Sequence, residues 1–306
     1  MKDLDTRIFK LLKQKPFTLN ELSDMLRISE NNVRQYIKLL REKGVDIKHK
    51  DNIYNIISSE NTSKFYVYSP ASTKKIERTI AISSDWHIGS VQHDKEGLEE
   101  CVYTAKDLGV EFIVHSGDMH DGYGVYHGQL NNLITWDINR QTDMSAQEIE
   151  TLGINIYGIG GNHDFSYTKQ NGARPTGMLA RKTKLFHDMG DFQADFVLDG
   201  IEIRMLHGDG GNAYALSYSA QKYLRNLAEG TPEQVPDMLA IGHFHTNPVF
   251  QIYGCLVIHP SNFQKPNDYM IRRGLRGARG LYVLEMETQN GSLLDYDIKF
   301  IGARTD

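Results

Sequence analysis

Five short clusters of Asp, His and Asn carry the chemistry in this sequence. The apolar, β-prone run Thr79–Ser84 stops at Asp85-Trp86-His87, and Phe112–Ser116 stops at Gly117-Asp118. Ile154–Ile159 leads to Gly161-Asn162-His163-Asp164, Ile201–Leu206 to His207-Gly208-Asp209, and Met238–Ile241 to Gly242-His243-Phe244-His245. Imidazole with carboxylate, and no cysteine in the clusters, suits manganese, iron, zinc or nickel better than a thiolate site does. One such His or Asp is usually structural. Five in series, each at the end of a strand-like run, are not explained that way. The neighbouring glycines let backbone and side chains approach an ion closely.

Such ligands meet only if the strand ends that carry them lie side by side. Helical patterns separate several of the runs. Leu98, Cys101, Val102, Ala105 and Leu108 recur on one face, and residues 213–228 form another helical candidate. Strands alternating with helices predict an α/β layered fold with buried strands.

The chain has 306 residues, 40% apolar and 24% charged, which suits a globular protein of about two domains and excludes collagen-like or disordered chains. Apolar runs are too short to span a bilayer, and no signal-peptide h-region opens the sequence. The expectation is a cytoplasmic protein with no membrane partner. Cys101 and Cys255 are then expected as free thiols. Residues 1–58 hold 12 Lys/Arg against 8 Asp/Glu, a net of +4, while the remainder has a net of −9. That acidic balance is compatible with carboxylates gathered around metal ions.

Within the first 58 residues Leu4, Ile8, Leu11 and Leu12 form one helical face, and Pro16 is expected to stop the helix. Thr18-Leu19-Asn20-Glu21 fits a capping box before a stripe of Leu22, Met25 and Leu26. Ser29 can cap a third helix carrying Val33, Tyr36, Ile37 and Leu40, with Gly44 as its stop. Ile47–Ile57 reads as two short strands. This order resembles a winged helix-turn-helix domain, whose third helix enters the major groove. Here that helix offers Asn31, Asn32, Arg34, Gln35, Lys38 and Arg41, and the wing adds Lys48 and Lys50. Asn and Gln can read base edges, and Arg and Lys can reach guanine or phosphate. The same residues also fit an ordinary solvated face. Residues 59–77 are expected to be linker and lead-in, and 78–306 the second domain.

Asp85-x-His87, Gly117-Asp118, Gly161-Asn162-His163-Asp164, His207 and Gly242-His243-x-His245 together resemble the signature of calcineurin-like metallophosphoesterases. All five blocks are present in order, over about residues 78–290. The resemblance implies a four-layer α-β-β-α sandwich of the α/β class, with a dinuclear metal site along one edge. It implies that Asp85, His87 and His245 hold one divalent ion, that Asn162, His207 and His243 hold another, and that Asp118 bridges them. Manganese is expected first, with iron, zinc or nickel as alternatives. Attack by a metal-bound hydroxide on phosphorus follows. His163 is expected to donate a proton or hydrogen bond, with Asp164 orienting its ring.

Fold and metals give a reaction class rather than a substrate. Gly160-Gly161 precedes Asn162, and Gly122-Tyr123 follows Asp121, so the two phosphate-clamping arginines of the protein phosphatases are missing. Ser84–Gly89 and Pro236–His243 resemble instead the nuclease branch of SbcD type. The stretches from His207 to Tyr218 and from Tyr269 to Leu275 are similar to phosphoesterases common in phage. Arg272, Arg273, Arg276 and Arg279, with Lys169, Arg174, Arg181 and Lys182, could hold a polynucleotide backbone. Tyr123, Tyr126 and Trp136 could stack bases, and His259 could contact substrate. Solvated loops and a small aromatic core fit these groups equally well. His93, His120 and His127 are expected near the metals rather than on them, and His115 within a strand.

The expected protein is a metal-dependent hydrolase of phosphodiester bonds in nucleic acid, positioned by its winged helix. Alternatives are a small-nucleotide phosphodiesterase or phosphatase, or a DNA-binding regulator with a ligand-sensing phosphoesterase domain. A protein partner or homo-oligomer is open.

Overall fold

The computed structural model describes residues 4–14, 17–42, 45, 47–50, 52–56, 65–211, 215–230, 235–272 and 277–304. Pro16, Gly44 and the expected linker residues 59–64 lie outside them. The chain divides into two compact units, Met1–Asn61 and Thr62–Asp306.

The smaller unit has three helices, α1 (Leu4–Gln14), α2 (Leu19–Leu26) and α3 (Glu30–Glu42). Strands β1 (Phe17–Thr18), β2 (Ile47–Lys50) and β3 (Ile53–Ile56) form a sheet in the order β1-β3-β2. The capping box at the start of α2 is present: the Thr18 hydroxyl accepts the Glu21 N–H at 3.2 Å, and a Glu21 carboxylate oxygen accepts the Thr18 N–H at 2.7 Å. Ile8, Leu12, Leu22, Val33, Ile37 and Leu40 share one apolar core. Met25 does not join them. It is 53% exposed, because α2 starts directly after Thr18 and turns Leu19, Leu22 and Leu26 inward instead. The two-residue β1 was not foreseen, being too short to show alternation.

The larger unit is built on two six-stranded sheets. One contains β5 (Ile76–Ser83), β6 (Phe112–His115), β7 (Asn155–Gly160), β8 (Phe186–Asp191), β14 (Gly280–Gln289) and β15 (Ser292–Gly302). Its order is β15-β14-β5-β6-β7-β8, with β5 through β8 parallel. The other contains β4 (Phe65–Val67), β9 (Gln193–Leu198), β10 (Ile201–His207), β11 (Met238–Gly242), β12 (Val249–Ile252) and β13 (Cys255–Ile258), in the order β12-β13-β11-β10-β9-β4.

Side-chain alternation sorts these strands into layers. Ile80, Ile82, Phe112 and Val114 of one sheet pack with Ile203, Met205, Met238 and Ala240 of the other, forming the sandwich interior. The intervening Ala81, Ile113 and Ile156 face outward onto α4 (Lys95–Asp107), α5 (Ile138–Leu152) and α7 (Pro175–Lys182). On the far side Leu239, Ile241 and Val257 meet Ala220 and Leu224 of α8 (Tyr218–Gly230). The result is the expected four-layer α-β-β-α sandwich. Cys101 and Cys255 are free and buried, and they belong to different hydrophobic clusters, Cys101 on α4 and Cys255 on β13. Among the described residues no helix is long and apolar enough to cross a membrane.

Phe196 shows how tightly the interior is filled. It is fully buried, with ring centroids 5.0 Å from Tyr157 and 5.4 Å from Phe112. Phe196→Ala should lower stability of the larger unit by about 3–5 kcal/mol, through lost transfer energy and a residual cavity. Urea unfolding followed by near-ultraviolet circular dichroism measures this. A loss below about 1 kcal/mol would show that the interior collapses to fill the gap.

Candidate functional site

The C-terminal ends of β5, β6 and β7 come from one sheet and those of β10 and β11 from the other, and they converge at one edge of the sandwich. The loops after β5 and β6 are laced together. Asp85 N–H donates to the Gly117 carbonyl at 2.9 Å and His87 N–H to the Asp118 carbonyl at 3.1 Å. Asp85, His87, Asp118, His243 and His245 all have left-handed φ values, 54°, 52°, 54°, 85° and 50°. That region costs a residue other than glycine about 1–3 kcal/mol and persists only where its surroundings enforce it. Here the backbone turns at each strand end and aims a side chain at a shared centre. Gly161 and Gly242 make room for this. A Cβ at 161 would stand 2.2 Å from Asp118 Oδ1, and one at 242 would stand 2.1 Å from the Ser84 hydroxyl.

Five of the inward groups, His87, His207, His243, Asp85 and Asp118, are anchored by their other end. His87 Nδ1–H donates to Asp121 Oδ1 at 3.0 Å, His207 Nδ1–H to the Ser116 carbonyl at 2.8 Å, and His243 Nε2–H to the Gly210 carbonyl at 2.6 Å. The opposite nitrogens are left as lone-pair donors. The Asp85 and Asp118 carboxylates are divided in the same way. Asp85 Oδ2 accepts the His243 N–H and Asp118 Oδ1 accepts the His163 N–H, both at 2.9 Å.

The free ends meet in two groups, and a third group, His87, Asp121 and His163, adjoins the first. In the first, His87 Nε2 and His245 Nε2 are 3.1 Å apart, and His245 Nε2 is 3.4 Å from Asp85 Oδ1. In the second, His207 Nε2 lies 3.2 Å from Asp118 Oδ2 and 3.0 Å from Asn162 Oδ1, which is 2.8 Å from His243 Nδ1. Asp85 Oδ1 is buried without a hydrogen-bond partner. A buried oxygen of this kind, with lone pairs of imidazole, carboxylate and amide converging on it, fits divalent cations.

Burial raises the cost of charge on Asp85, yet the neighbouring His245 and His87 imidazoles outweigh it and hold the carboxyl well below its usual range. Burial likewise pulls His87 down, but Asp121 and Asp85 overcome it and raise the ring to about 10. His207 is raised to about 9, the charge of Asp118 outweighing burial. Burial, then the charge of His207, pushes His243 down. A cation entering here displaces protons as it binds.

The structure corrects the expected role of Asp164. Its carboxylate accepts the backbone N–H groups of Met119, His120 and Gly161 and meets His120 Nδ1 at 2.7 Å. It braces the loops and does not orient His163. That ring is held by the Asp121 carbonyl, which accepts His163 Nδ1–H at 2.6 Å. Asp121 therefore contacts both His87 and His163. Its only sequence signal was an acid three residues after Asp118. Gln264 and Gln129, which hydrogen-bond the Asp121 carboxylate at 3.3 and 3.2 Å, had none.

Other candidates separate likewise. His259 is buried, stands between Phe244 and Phe250 and is lowered to about 4 by burial. His93 is fixed between the Trp86 carbonyl and Glu148, and His115 is buried against Trp86. Arg174 is paired with Asp188 and Asp191, Lys182 with Asp143, and Arg279 with Asp94. Arg174 and Arg279 are committed to buried or half-buried acids, while the Lys182 pair is with the exposed Asp143. Arg273 and Arg276 lie outside the described residues, while Arg272 is exposed at the end of α9 (Asp268–Arg272). Tyr123 is half-buried, Tyr126 accepts a hydrogen bond from Asn267 at 3.1 Å, and Trp136 is 66% exposed.

In the smaller unit Asn31, Asn32, Arg34, Gln35 and Lys38 line the exposed face of α3. Arg34 and Lys38 make only solvent-exposed pairs with Glu30 and Glu42, at 3.6 and 3.9 Å. Such pairs exchange readily for other partners. Arg41 differs, because its guanidinium donates twice to the Ile47 carbonyl and ties α3 to the hairpin. The side chains of Lys48 and Lys50 lie outside the described residues.

Comparison with known proteins agrees with both units. Residues 79–272 match the calcineurin-like phosphoesterase superfamily domain, and residues 6–55 match a helix-turn-helix domain. The chain is 25% identical over 241 residues to the DNA polymerase II small subunit of Methanothermobacter thermautotrophicus, covering 64% of this chain and 49% of that one. It is 26% identical over 250 residues to the same subunit of Archaeoglobus fulgidus, covering 68% and 51%. The chain thus spans about half the length of these curated relatives. Among solved structures, a novel archaeal phosphodiesterase aligns with 73% of this chain and 99% of its own, at 17% identity and a TM-score of 0.42.

Proposed function

The chain belongs to the calcineurin-like phosphoesterase superfamily, and from that premise we propose that it is a two-metal phosphodiesterase acting on nucleic acid. The observation that carries this reading is the set of seven converging donors, Asp85, His87, Asp118, Asn162, His207, His243 and His245, five of which (all but Asn162 and His245) are anchored on their outer side. Asp85, His87 and His245 would hold one ion, Asn162, His207 and His243 the other, and Asp118 would be shared. Two divalent ions supply charge that acidifies water and neutralises phosphoryl oxygens.

The chain's own residues do the rest. Asp121 fixes the His87 tautomer through Nδ1 and holds the His163 ring. With Nδ1 engaged, His163 has Nε2 left for the leaving oxygen, to which it gives a proton or hydrogen bond. Lack of the phosphate-clamping arginines argues against a protein substrate. The helix-turn-helix unit and the polymerase-subunit relatives favour nucleic acid. The nuclease-like Ser84–Gly89 segment is a further, local support.

A Mn²⁺-supplemented panel of bis-p-nitrophenyl phosphate, p-nitrophenyl phosphate, single- and double-stranded DNA, RNA and cyclic nucleotides tests this, with metal content measured in parallel. Two ions per chain and faster cleavage of diesters than of the monoester are expected. Hydrolysis no faster than with Asp118→Asn would refute the reading. The relatives are named as subunits, so a second reading is a component of a DNA polymerase assembly. That reading predicts no hydrolysis by the isolated chain.

The face of α3 carries a separate expectation. If Arg34 and Lys38 reach phosphates, log K for duplex DNA should fall by roughly 0.9 per neutralised phosphate as log salt rises. Asn31, Asn32 and Gln35 would add base preference. Deleting 1–58 should weaken DNA binding and spare hydrolysis of a small diester, because each proposed metal ligand lies at or beyond residue 85. Equal DNA affinity for both proteins, at low and moderate salt, would leave this unit a protein-docking or dimerisation module.

A further inference from the structure

We infer that a cavity beside the proposed metal centre is a nucleoside subsite, holding the part of a phosphodiester substrate that stays on phosphorus. This rests on the hydrolytic reading above and specifies its substrate class. The cavity measures about 440 Å³, within the range of about 300–1,000 Å³ usual for small-molecule sites. It lies between α8 and the loop after β10, and His207 forms part of its wall. His207 also belongs to the ligand cluster, 3.2 Å from Asp118. The cavity and the proposed metal centre therefore share a wall residue.

The lining has two kinds of surface. Leu206, Ile241 and Phe244 supply an apolar floor, and the Tyr218 and Tyr223 side chains contribute aromatic surface. Gly208 is what lets Phe244 lie against the loop, since a Cβ there would come within 2.6 Å of the ring. Tyr223 is a fixed wall, its hydroxyl already bonded to Gln193 at 3.0 Å. Tyr218 is different, more than half exposed and free to meet a flat ligand.

Ser219, Lys222 and Asn226 follow Tyr218 at helical spacing and line the same cavity. No side-chain hydrogen bond or ion pair engages them among the described residues. An aromatic face stacks a base regardless of its identity. An amide such as Asn226 can pair with a base edge, and a lysine meets phosphate as a point charge. Asp209 lines the cavity as well, its Oδ1 accepting the Gly210 N–H at 2.8 Å, so what favours a nucleoside is the apolar floor, aromatic face and amide.

Position assigns which nucleotide. His163, the proposed donor to the leaving oxygen, groups with His87 and Asp121. The cavity adjoins His207, which groups with Asp118 and His243. The leaving group departs on the His163 side, so the nucleoside in the cavity is the one retained. In the reaction, water oxygen bonds to phosphorus and its proton passes to solvent, the ester bond breaks as the leaving oxygen takes a proton from His163, and a nucleoside monophosphate remains.

The test compares two diesters with one leaving group, thymidine 5′-(p-nitrophenyl) phosphate and methyl p-nitrophenyl phosphate, on the full-length Mn²⁺-loaded protein. Base stacking on an aromatic side chain is worth a factor of about 5–150. Wild-type kcat/KM should favour the nucleoside ester by about tenfold or more. Tyr218→Ala and Asn226→Ala, both on the helix surface and both assigned to the base, should erase most of that preference through KM and leave the methyl ester, which has no base, unchanged. Equal efficiency on the two esters in the wild type, or a preference that survives both substitutions, would overturn the subsite alone. If neither ester is hydrolysed, the hydrolytic reading falls. The subsite is then judged by calorimetry with thymidine monophosphate. Binding lost in Tyr218→Ala supports it, and no binding by the wild type overturns it.

Discussion

Asp118→Asn should reduce hydrolysis of bis-p-nitrophenyl phosphate by about 10³-fold while leaving the fold intact. The substitution keeps the shape of the side chain. The amide oxygen can still accept the His163 N–H that now reaches Oδ1 at 2.9 Å. What disappears is the negative charge 3.2 Å from His207 Nε2, at the position proposed to be shared by both ions. An amide also presents N–H toward His207 where a carboxylate presents a lone pair. A bound metal contributes several kcal/mol of charge stabilisation in a transition state, and about 1.36 kcal/mol is a factor of ten. Losing a properly held ion therefore costs orders of magnitude. Elemental analysis should show fewer than two ions per chain, and circular dichroism should be unchanged. An Asp118→Asn protein with two ions and near-normal turnover would remove Asp118 from the shared position.

The strands that lead to the ligand clusters were legible because both faces of each are buried, so apolar runs of four to six residues stop where function begins. β5, β6, β7, β10 and β11 lie where the runs did. β14 and β15, a long antiparallel pair, carry no such cluster and drew no notice. The second failure was one of neighbourhood. Asp164 follows His163 in the chain, and adjacency in sequence suggests a contact between their side chains. In the fold Asp164 immediately precedes α6 (Phe165–Asn171) and turns its carboxylate back onto the Met119 and His120 N–H groups. Asp121 reaches His163 from another loop. Charge was equally opaque, because only the fold shows that Arg174 faces Asp188 and Asp191 while Arg34 and Lys38 make exposed pairs. The cavity beside His207 depends on α8 crossing the loop after β10, a tertiary relation that periodicity does not encode.

His163→Ala should divide substrates by their leaving groups. The ring stands edge-on to His87 with centroids 4.5 Å apart, and it is 14% exposed. Its Nδ1–H is spent on the Asp121 carbonyl, so one nitrogen faces the site. A ring that protonates the departing oxygen matters most when that oxygen is basic. For a dinucleotide, whose leaving group is an alkoxide, loss of a general acid should cost about 10²–10⁴-fold in kcat. For bis-p-nitrophenyl phosphate, whose leaving group is stable as an anion, the cost should be about tenfold or less, and metal content should stay at two ions. Asp121→Asn keeps its backbone carbonyl and so keeps the His163 anchor, but it weakens the partner of His87 Nδ1. Its defect should appear in metal affinity and be similar for both leaving groups. Equal losses on both substrates for His163→Ala would mean that the ring stabilises the phosphoryl oxygens by hydrogen bonding rather than giving up a proton. No loss on the dinucleotide would remove it from the chemistry altogether.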